Sequence, residues 1–139
     1  TMSFKLGNKS LKNLSGVHPD LVRVVKQAII LTPIDFAVTE GLRTIERQKM
    51  LVESGASRTM NSQHLVGRAV DLAAFVDGKV SWDLPLYHKL AQAMKAAANY
   101  CMVEIKWGGD WENFKDCPHF ELAREIKRDD EKLSDLTKV

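Results

Sequence analysis

With 139 residues, the chain has room for one domain with a single core, and its 45% hydrophobic and 27% charged residues are typical of a soluble globular protein. The formal net charge of +2 is spread along the chain, which excludes the concentrated basic surface of a nucleic-acid-binding protein. Two cysteines, Cys101 and Cys117, are too few for a disulfide framework, and the longest apolar run, residues 28–31, is too short for stable insertion in a membrane. The N-terminal segment carries lysines but no apolar core, so we expect no secretory signal peptide.

The first half of the chain alternates helical and strand-like segments. Apolar residues recur at helical spacing over residues 19–31, with a proline at the start and another just beyond the end. A short strand is predicted over 36–39 and a second helix over 44–53. Residues 56–67 are rich in serine, asparagine, glycine and arginine and are predicted to form a loop.

The second half predicts a β-hairpin, a long helix and two further strands. Residues 69–76 are apolar apart from one aspartate, an Asp-Gly pair then turns the chain, and residues 79–82 return beside them. The remaining predictions are a helix over 85–100, a strand over 102–107, a short strand from His119, and a charge-dense helix from Glu121 to the end.

These elements predict one α+β domain over residues 1–139, with an antiparallel sheet flanked by helices. Its core is expected over about residues 14–122, followed by a charged helical tail over 123–139.

Asp71 is the unusual residue of the predicted hairpin, because it lies inside an otherwise apolar strand. Burying an unpaired carboxylate costs several kcal/mol, so a protein keeps one there when it is paired or bound to a metal. His64 lies one loop away, and Gly67 lets the backbone fold back tightly between them. The alternative is that Asp71 pairs with Arg68 or caps a turn, since structural ion pairs also occur in such places.

A second polar cluster precedes the last predicted strand. Pro118 fixes its own φ and pushes Cys117 towards extended backbone, so that His119 is held rigidly at the start of the strand. Asp116 lies on the adjoining loop, near His119. Taken alone, His119 is equally consistent with a histidine whose hydrogen bonds are satisfied in a turn.

Together, His64, Asp71 and His119 supply three nitrogen and oxygen ligands and leave a fourth position open, as a catalytic Zn²⁺ site requires. Zinc lowers the pKa of a coordinated water from about 15.7 to about 7, and Asp116 is the candidate carboxylate for accepting its proton. Cys117 could in principle be a ligand, but a thiolate would tend to close the open position.

The spacing His64-x-x-Gly-x-Ala-x-Asp71, followed by Asp116-x-x-His119, resembles the family of zinc D-alanyl-D-alanine carboxypeptidases and phage L-alanyl-D-glutamate endolysins. That family shares a fold with bacterial D,D-dipeptidases and hedgehog signalling domains, so the resemblance implies a hedgehog/DD-peptidase-like architecture. It extends over about residues 14–122. It also implies that the two histidines and Asp71 ligate zinc and that Asp116 is the general base.

Three further roles are implied by the resemblance. The segment Glu40-Gly41-Leu42-Arg43-Thr44 is similar to a Gly-Tyr-Arg-Ser/Thr segment whose arginine reaches the scissile carbonyl or its oxyanion, which implies that role for Arg43. From the residues alone, Arg43 is equally a surface partner of Glu40 or Glu46. Ser62 matches a serine near the substrate carboxylate in related dipeptidases, and Trp107 belongs to a segment that walls the cleft.

The resemblance is strongest to short single-domain phage endolysins, which cleave the L-alanyl-D-glutamate bond of peptidoglycan stem peptides. It implies a monomeric enzyme that accumulates in the host cytoplasm and reaches the periplasm and cell wall when a phage holin opens the membrane. The alternatives are a D-Ala-D-Ala carboxypeptidase or dipeptidase, and a zinc-stabilised wall-binding module without activity.

The expected cleft composition favours the endopeptidase over the carboxypeptidase. A carboxypeptidase needs a cationic anchor for the terminal carboxylate of its substrate. Arg43 is the only strong cation that the sequence places in the cleft, and the resemblance already assigns it to the scissile carbonyl.

Overall fold

The protein is described here by a computed structural model, which covers residues 3–123. In chain order its helices and strands are α1 (Asn8–Asn13), α2 (Pro19–Leu31), β1 (Asp35–Glu40), α3 (Ile45–Glu53), β2 (Ala69–Val76), β3 (Lys79–Ser81), α4 (Leu84–Cys101), β4 (Ile105–Trp107) and β5 (His119–Leu122). Two 3₁₀ turns, Gln63–Val66 and Gly108–Asp110, precede β2 and follow β4. The predicted α+β architecture is confirmed.

The sheet is antiparallel, with the order β1-β2-β5-β4 and with β3 paired to β2. One face of the sheet packs against α2 and α4, which also pack against each other. The core between them is built from fully buried side chains on both layers, among them Leu21, Val25, Leu72, Leu90 and Phe120. The opposite face of the sheet carries polar residues of the strands, among them Glu40, Asp71 and His119, which line a cleft.

Strand register places three polar residues side by side on three neighbouring strands. Asp71 in β2 is the Cα partner of Glu40 in β1 on one side and of His119 in β5 on the other. Val70 and Leu72 point into the core, so alternation turns the Asp71 side chain to the opposite face. The register of the sheet therefore assembles a polar cluster from residues far apart in sequence.

Most predicted elements agree with the structure, and the hairpin turn has positive φ at Asp77 and Gly78, as an Asp-Gly turn requires. The predicted helix from Glu121 is wrong at its start, because Glu121 and Leu122 belong to β5 and pair with β2 and β4. The rest of that helix, residues 124–139, lies outside the described residues. The helix α1 was not predicted, and β4 begins at Ile105 instead of residue 102.

Within residues 3–123, no helix combines the length and the apolar character needed to cross a membrane.

Candidate active site

The three residues predicted as metal ligands converge on one point. Ligand atoms of His64, Asp71 and His119 all lie within 4.8 Å of one another. Oδ1 of Asp71 is 3.2 Å from Nε2 of His64 and 3.2 Å from Nδ1 of His119. Cys117 is not part of this group and packs against the hydrophobic core. This part of the chain can therefore hold a metal ion with two imidazoles and one carboxylate.

Hydrogen bonds fix which nitrogen of each histidine faces the group. Nδ1 of His64 is 2.8 Å from the carbonyl oxygen of Gly41, and Nε2 of His119 is 2.7 Å from Oε1 of Glu121. Both partners are acceptors, so these nitrogens carry protons in the neutral rings. The lone pairs of His64 Nε2 and His119 Nδ1 then point towards Asp71. A metal-ligating histidine commonly donates its second N–H to a carbonyl or carboxylate in this way, so the residues present fit a metal ion.

The hydrogen bonds within the cluster shift the pKa values of Asp71 and His119. Burial alone would raise the pKa of Asp71, but hydrogen bonds from His119 and His64 outweigh it and hold that pKa well below its usual range. Burial alone would lower the pKa of His119, whereas its hydrogen bonds to Asp71 and Glu121 raise it to about 9. The same hydrogen bonds therefore favour the charged forms of both residues.

The alternative partner for Asp71 is not used. The guanidinium nitrogens of Arg68 are buried and have no hydrogen-bond partner among residues 3–123. Asp71 is instead bonded to the two histidines and lies 3.6 Å from Nη2 of Arg43. Its burial is thus compensated within the polar cluster.

Asp116 lies on the wall of the same cleft but is not one of the converging ligands. Its backbone N–H donates to the Gly108 carbonyl at 3.0 Å, and its carbonyl accepts from the His119 N–H at 3.0 Å. A side chain at Gly108 would collide with the Asp116 carbonyl oxygen, so the glycine allows this close approach. The Asp116 side chain reaches solvent, yet desolvation by surrounding atoms and the charge of Asp71 raise its pKa. A carboxylate with a raised pKa suits a proton acceptor.

Arg43 is held between the cluster and helix α3. Its Nε and Nη2 donate to the two carboxylate oxygens of Glu40 at 2.8 Å each, and Nη1 donates to Oε1 of Gln48 at 2.7 Å. The pair with Glu40 foreseen from sequence exists, but the Arg43 side chain is only 8% exposed and is therefore not on the surface. Further N–H groups of the guanidinium remain available beside Asp71.

Ser62 and Trp107 occupy different kinds of position. Ser62 lines the cleft, and its hydroxyl accepts from the His64 N–H at 3.2 Å, so it caps the 3₁₀ turn that carries His64. The expectation of a cleft position for Trp107 is wrong. Its side chain is buried in the core and its indole N–H donates to the Cys117 carbonyl at 2.7 Å. Trp111 lines the cleft in its place, with its ring centroid 5.1 Å from that of His119.

Glu121 and Gln48 are site residues that the sequence analysis did not identify. Glu121 lies two residues after His119 on one strand, so both side chains face the cleft, whereas the sequence pattern predicts a helix from this residue. Gln48 is fully buried on α3 and bonds to Arg43. Its sequence context is an ordinary helix, which gave no signal.

The cluster opens into a cleft of about 710 Å³. One wall is formed by residues 55–63 and the other by the segment before β5, including Trp111 and Asp116. Two further cations, Arg58 and Lys115, line it. The sequence-based statement that Arg43 is the only strong cation of the cleft is therefore wrong.

Comparisons with known proteins agree on one family. The sequence model for phage L-alanyl-D-glutamate peptidase matches residues 2–129. The L-alanyl-D-glutamate peptidase of Escherichia phage T5 is 33% identical over 127 residues, covering 88% of this chain and 92% of that protein. The peptidoglycan L-alanyl-D-glutamate endopeptidase of Bacillus subtilis is 29% identical over 124 residues, covering 78% and 74%.

A solved structure shows the same similarity in three dimensions. The crystal structure of the L-Ala D-Glu endopeptidase ChiX from Serratia marcescens matches with a TM-score of 0.81 and 44% identity, covering 86% of this chain and 90% of that chain. The chain belongs to the phage L-alanyl-D-glutamate peptidase family.

Proposed function

We propose that the protein is a zinc-dependent endopeptidase of the endolysin type, which hydrolyses the L-alanyl-D-glutamate bond of peptidoglycan stem peptides. The observation that carries the proposal is the His64–Asp71–His119 group, which opens into a cleft beside Asp116. Family membership supports the same reaction, because the similar proteins of phage T5 and Bacillus subtilis carry this bond in their names.

The roles of the chain's own residues follow from their positions. A zinc ion held by His64, Asp71 and His119 would act as a Lewis acid and lower the pKa of a bound water to about 7. Asp116 accepts the proton of the attacking water, since its raised pKa makes it a better base near neutral pH. Arg43 directs an uncommitted N–H towards the scissile carbonyl, where negative charge develops.

The supporting residues keep these groups in place. The Gly41 carbonyl orients the His64 ring through Nδ1, and Glu121 orients the His119 ring through Nε2. Glu40 holds Arg43 by two hydrogen bonds. Ser62 fixes the turn that carries His64. Such fixed orientation lowers the reorganisation needed during the reaction.

The place of action that we propose is the bacterial cell wall. The enzyme would accumulate as a monomer in the host cytoplasm and reach the wall when a holin opens the membrane, as the resemblance to phage endolysins implies. The D-Ala-D-Ala carboxypeptidase is the competing enzyme, and the cations Arg58 and Lys115 in the cleft keep it open as an alternative. Digestion products of murein distinguish the proposals, because only the endopeptidase leaves a new D-glutamate amino terminus.

Metal-induced stabilisation is expected to increase with pH. In the metal-free protein, the pKa of His119 is raised from 6.5 to about 9, so its proton stabilises the fold fully below pH 6.5 and this contribution is lost as the pH rises through about 9. Zinc must displace that proton to bind. The increase in Tm caused by one equivalent of zinc, measured by thermal unfolding against a chelated sample, should therefore be small near pH 6 and larger towards pH 9. An increase that does not depend on pH would contradict this linkage.

A further inference from the structure

Arg58 is a cation of the cleft with no ionic partner among residues 3–123. It lines the cleft with Lys115, and among residues 3–123 no carboxylate forms an ion pair or hydrogen bond with its guanidinium. Arg43 differs, because its charge is paired with the Glu40 carboxylate through Nε and Nη2. Arg58 is therefore the arginine of the cleft whose charge is available to a ligand.

The backbone that carries Arg58 is fixed by a buried amide. Gln48 is fully buried, and its Nε2 donates to the Ser57 hydroxyl at 2.8 Å and to the Thr59 carbonyl at 2.5 Å. These are the residues on either side of Arg58. The same Gln48 accepts from Arg43, so one side chain links the catalytic cluster to the loop that carries Arg58.

Phe114 orients the Arg58 side chain. The guanidinium carbon lies 3.3 Å from the centroid of the Phe114 ring, and the two residues stand on opposite walls of the cleft. Phe114 has φ +54°, a conformation rarely adopted by aromatic residues, and the residue is 61% exposed. Stacking uses the face of the guanidinium and leaves the N–H groups at its edge free, which is the geometry that binds a carboxylate in a fork.

We propose that Arg58 binds a free carboxylate on the D-glutamate side of the scissile bond. This inference rests on the proposed function. A D-glutamate residue has two carboxyl groups, and only one of them is used to link it onward, so the other remains beside the scissile amide. A carboxylate further along the stem peptide has the same chemistry. Arg58 is thus a specificity residue that distinguishes acidic stem peptides from amidated ones.

The test uses soluble stem peptides that contain the L-alanyl-D-glutamate bond, in four forms: with free carboxylates, amidated at D-glutamate, amidated at the distal carboxylate, and amidated at both. Steady-state kcat and KM are measured for the wild type, Arg58→Gln, Arg58→Lys and the control Lys49→Gln. Lys49 is exposed on α3 and does not line the cleft, so its substitution changes the charge equally. Thermal unfolding and zinc content verify that each variant is folded and loaded.

On the peptide with free carboxylates, Arg58→Gln should raise KM about 10- to 100-fold with little change in kcat, since a charge-assisted hydrogen bond to the ground state is lost. The KM of Arg58→Lys should lie between the values of the wild type and Arg58→Gln, and the KM of Lys49→Gln should match the wild type. One of the two single amidations should abolish the KM difference between Arg58→Gln and the wild type, and that amidation identifies the bound carboxylate. The doubly amidated peptide must show no such difference.

Two results would overturn the inference while the proposed function stands. One is an Arg58→Gln variant that matches the wild type on the peptide with free carboxylates. The other is an Arg58→Gln variant whose KM rises as much on the doubly amidated peptide as on the peptide with free carboxylates. That result would mean that Arg58 only joins the two walls of the cleft. A wild type that cleaves none of the peptides would instead reject the proposed function, and the inference with it.

Discussion

Replacing Asp116 by asparagine is expected to lower kcat by about 10²–10⁴ while zinc stays bound, because a general base typically contributes this much. The amide preserves the shape of the side chain but cannot accept a proton from the attacking water. Asp116 stands outside the converging ligand group, so its loss should leave metal content unchanged. Its backbone hydrogen bonds to Gly108 and His119 are also unaffected, so a loss of turnover would not reflect a loss of folded structure.

Asp110→Asn is the matched control for this variant. Asp110 belongs to the same connection between β4 and β5, but it pairs with Lys95 on the surface and does not line the cleft. We expect its turnover to equal that of the wild type. Turnover near the wild-type value in Asp116→Asn would reject the proposed base, although the metal site could stand.

Replacing His64 by alanine is expected to remove the metal and with it the activity. His64 is 98% buried and supplies one of three ligand atoms, so the remaining pair cannot hold zinc in the same geometry. We expect metal content to fall from about one zinc per chain to near zero. Turnover should fall about 10³-fold or more, since the metal contributes several kcal/mol of transition-state stabilisation.

Two controls isolate the ligand role. His88 is an exposed histidine on α4 outside the ligand group, so His88→Gln should keep both zinc and turnover. Cys117 packs against the core, so Cys117→Ser should also keep both. Full zinc content in His64→Ala would remove His64 from the ligand set, and a metal-free Cys117→Ser would place Cys117 in it.

The parts of the site that the sequence predicted are those encoded by local chemistry. A lone aspartate in an apolar strand requires compensation wherever the strand lies, so Asp71 could be identified without knowing its neighbours. Two motifs in a fixed order then gave His64, Asp116 and His119. Val70 and Leu72 point into the core, so the alternation of side chains along β2 turns Asp71 to the opposite face of the sheet.

The parts that could not be predicted depend on contacts between distant residues. The register that places Glu40 and His119 on either side of Asp71 is a property of the assembled sheet. A segment with two tryptophans does not reveal which one faces the cleft, and packing of Trp107 against Phe120 decides it. The charged residues that follow Glu121 predict a helix, whereas pairing with β2 and β4 makes Glu121 a strand residue.

Mass spectrometry of the products from purified murein tests the central claim most directly. The zinc-loaded protein is incubated with murein that retains complete stem peptides, and a chelated sample serves as the control. We predict peptides with a new D-glutamate amino terminus, released from glycan strands that keep L-alanine, and no such products after chelation. Free D-alanine and shortened stems without a new D-glutamate amino terminus would contradict the account and identify a carboxypeptidase instead.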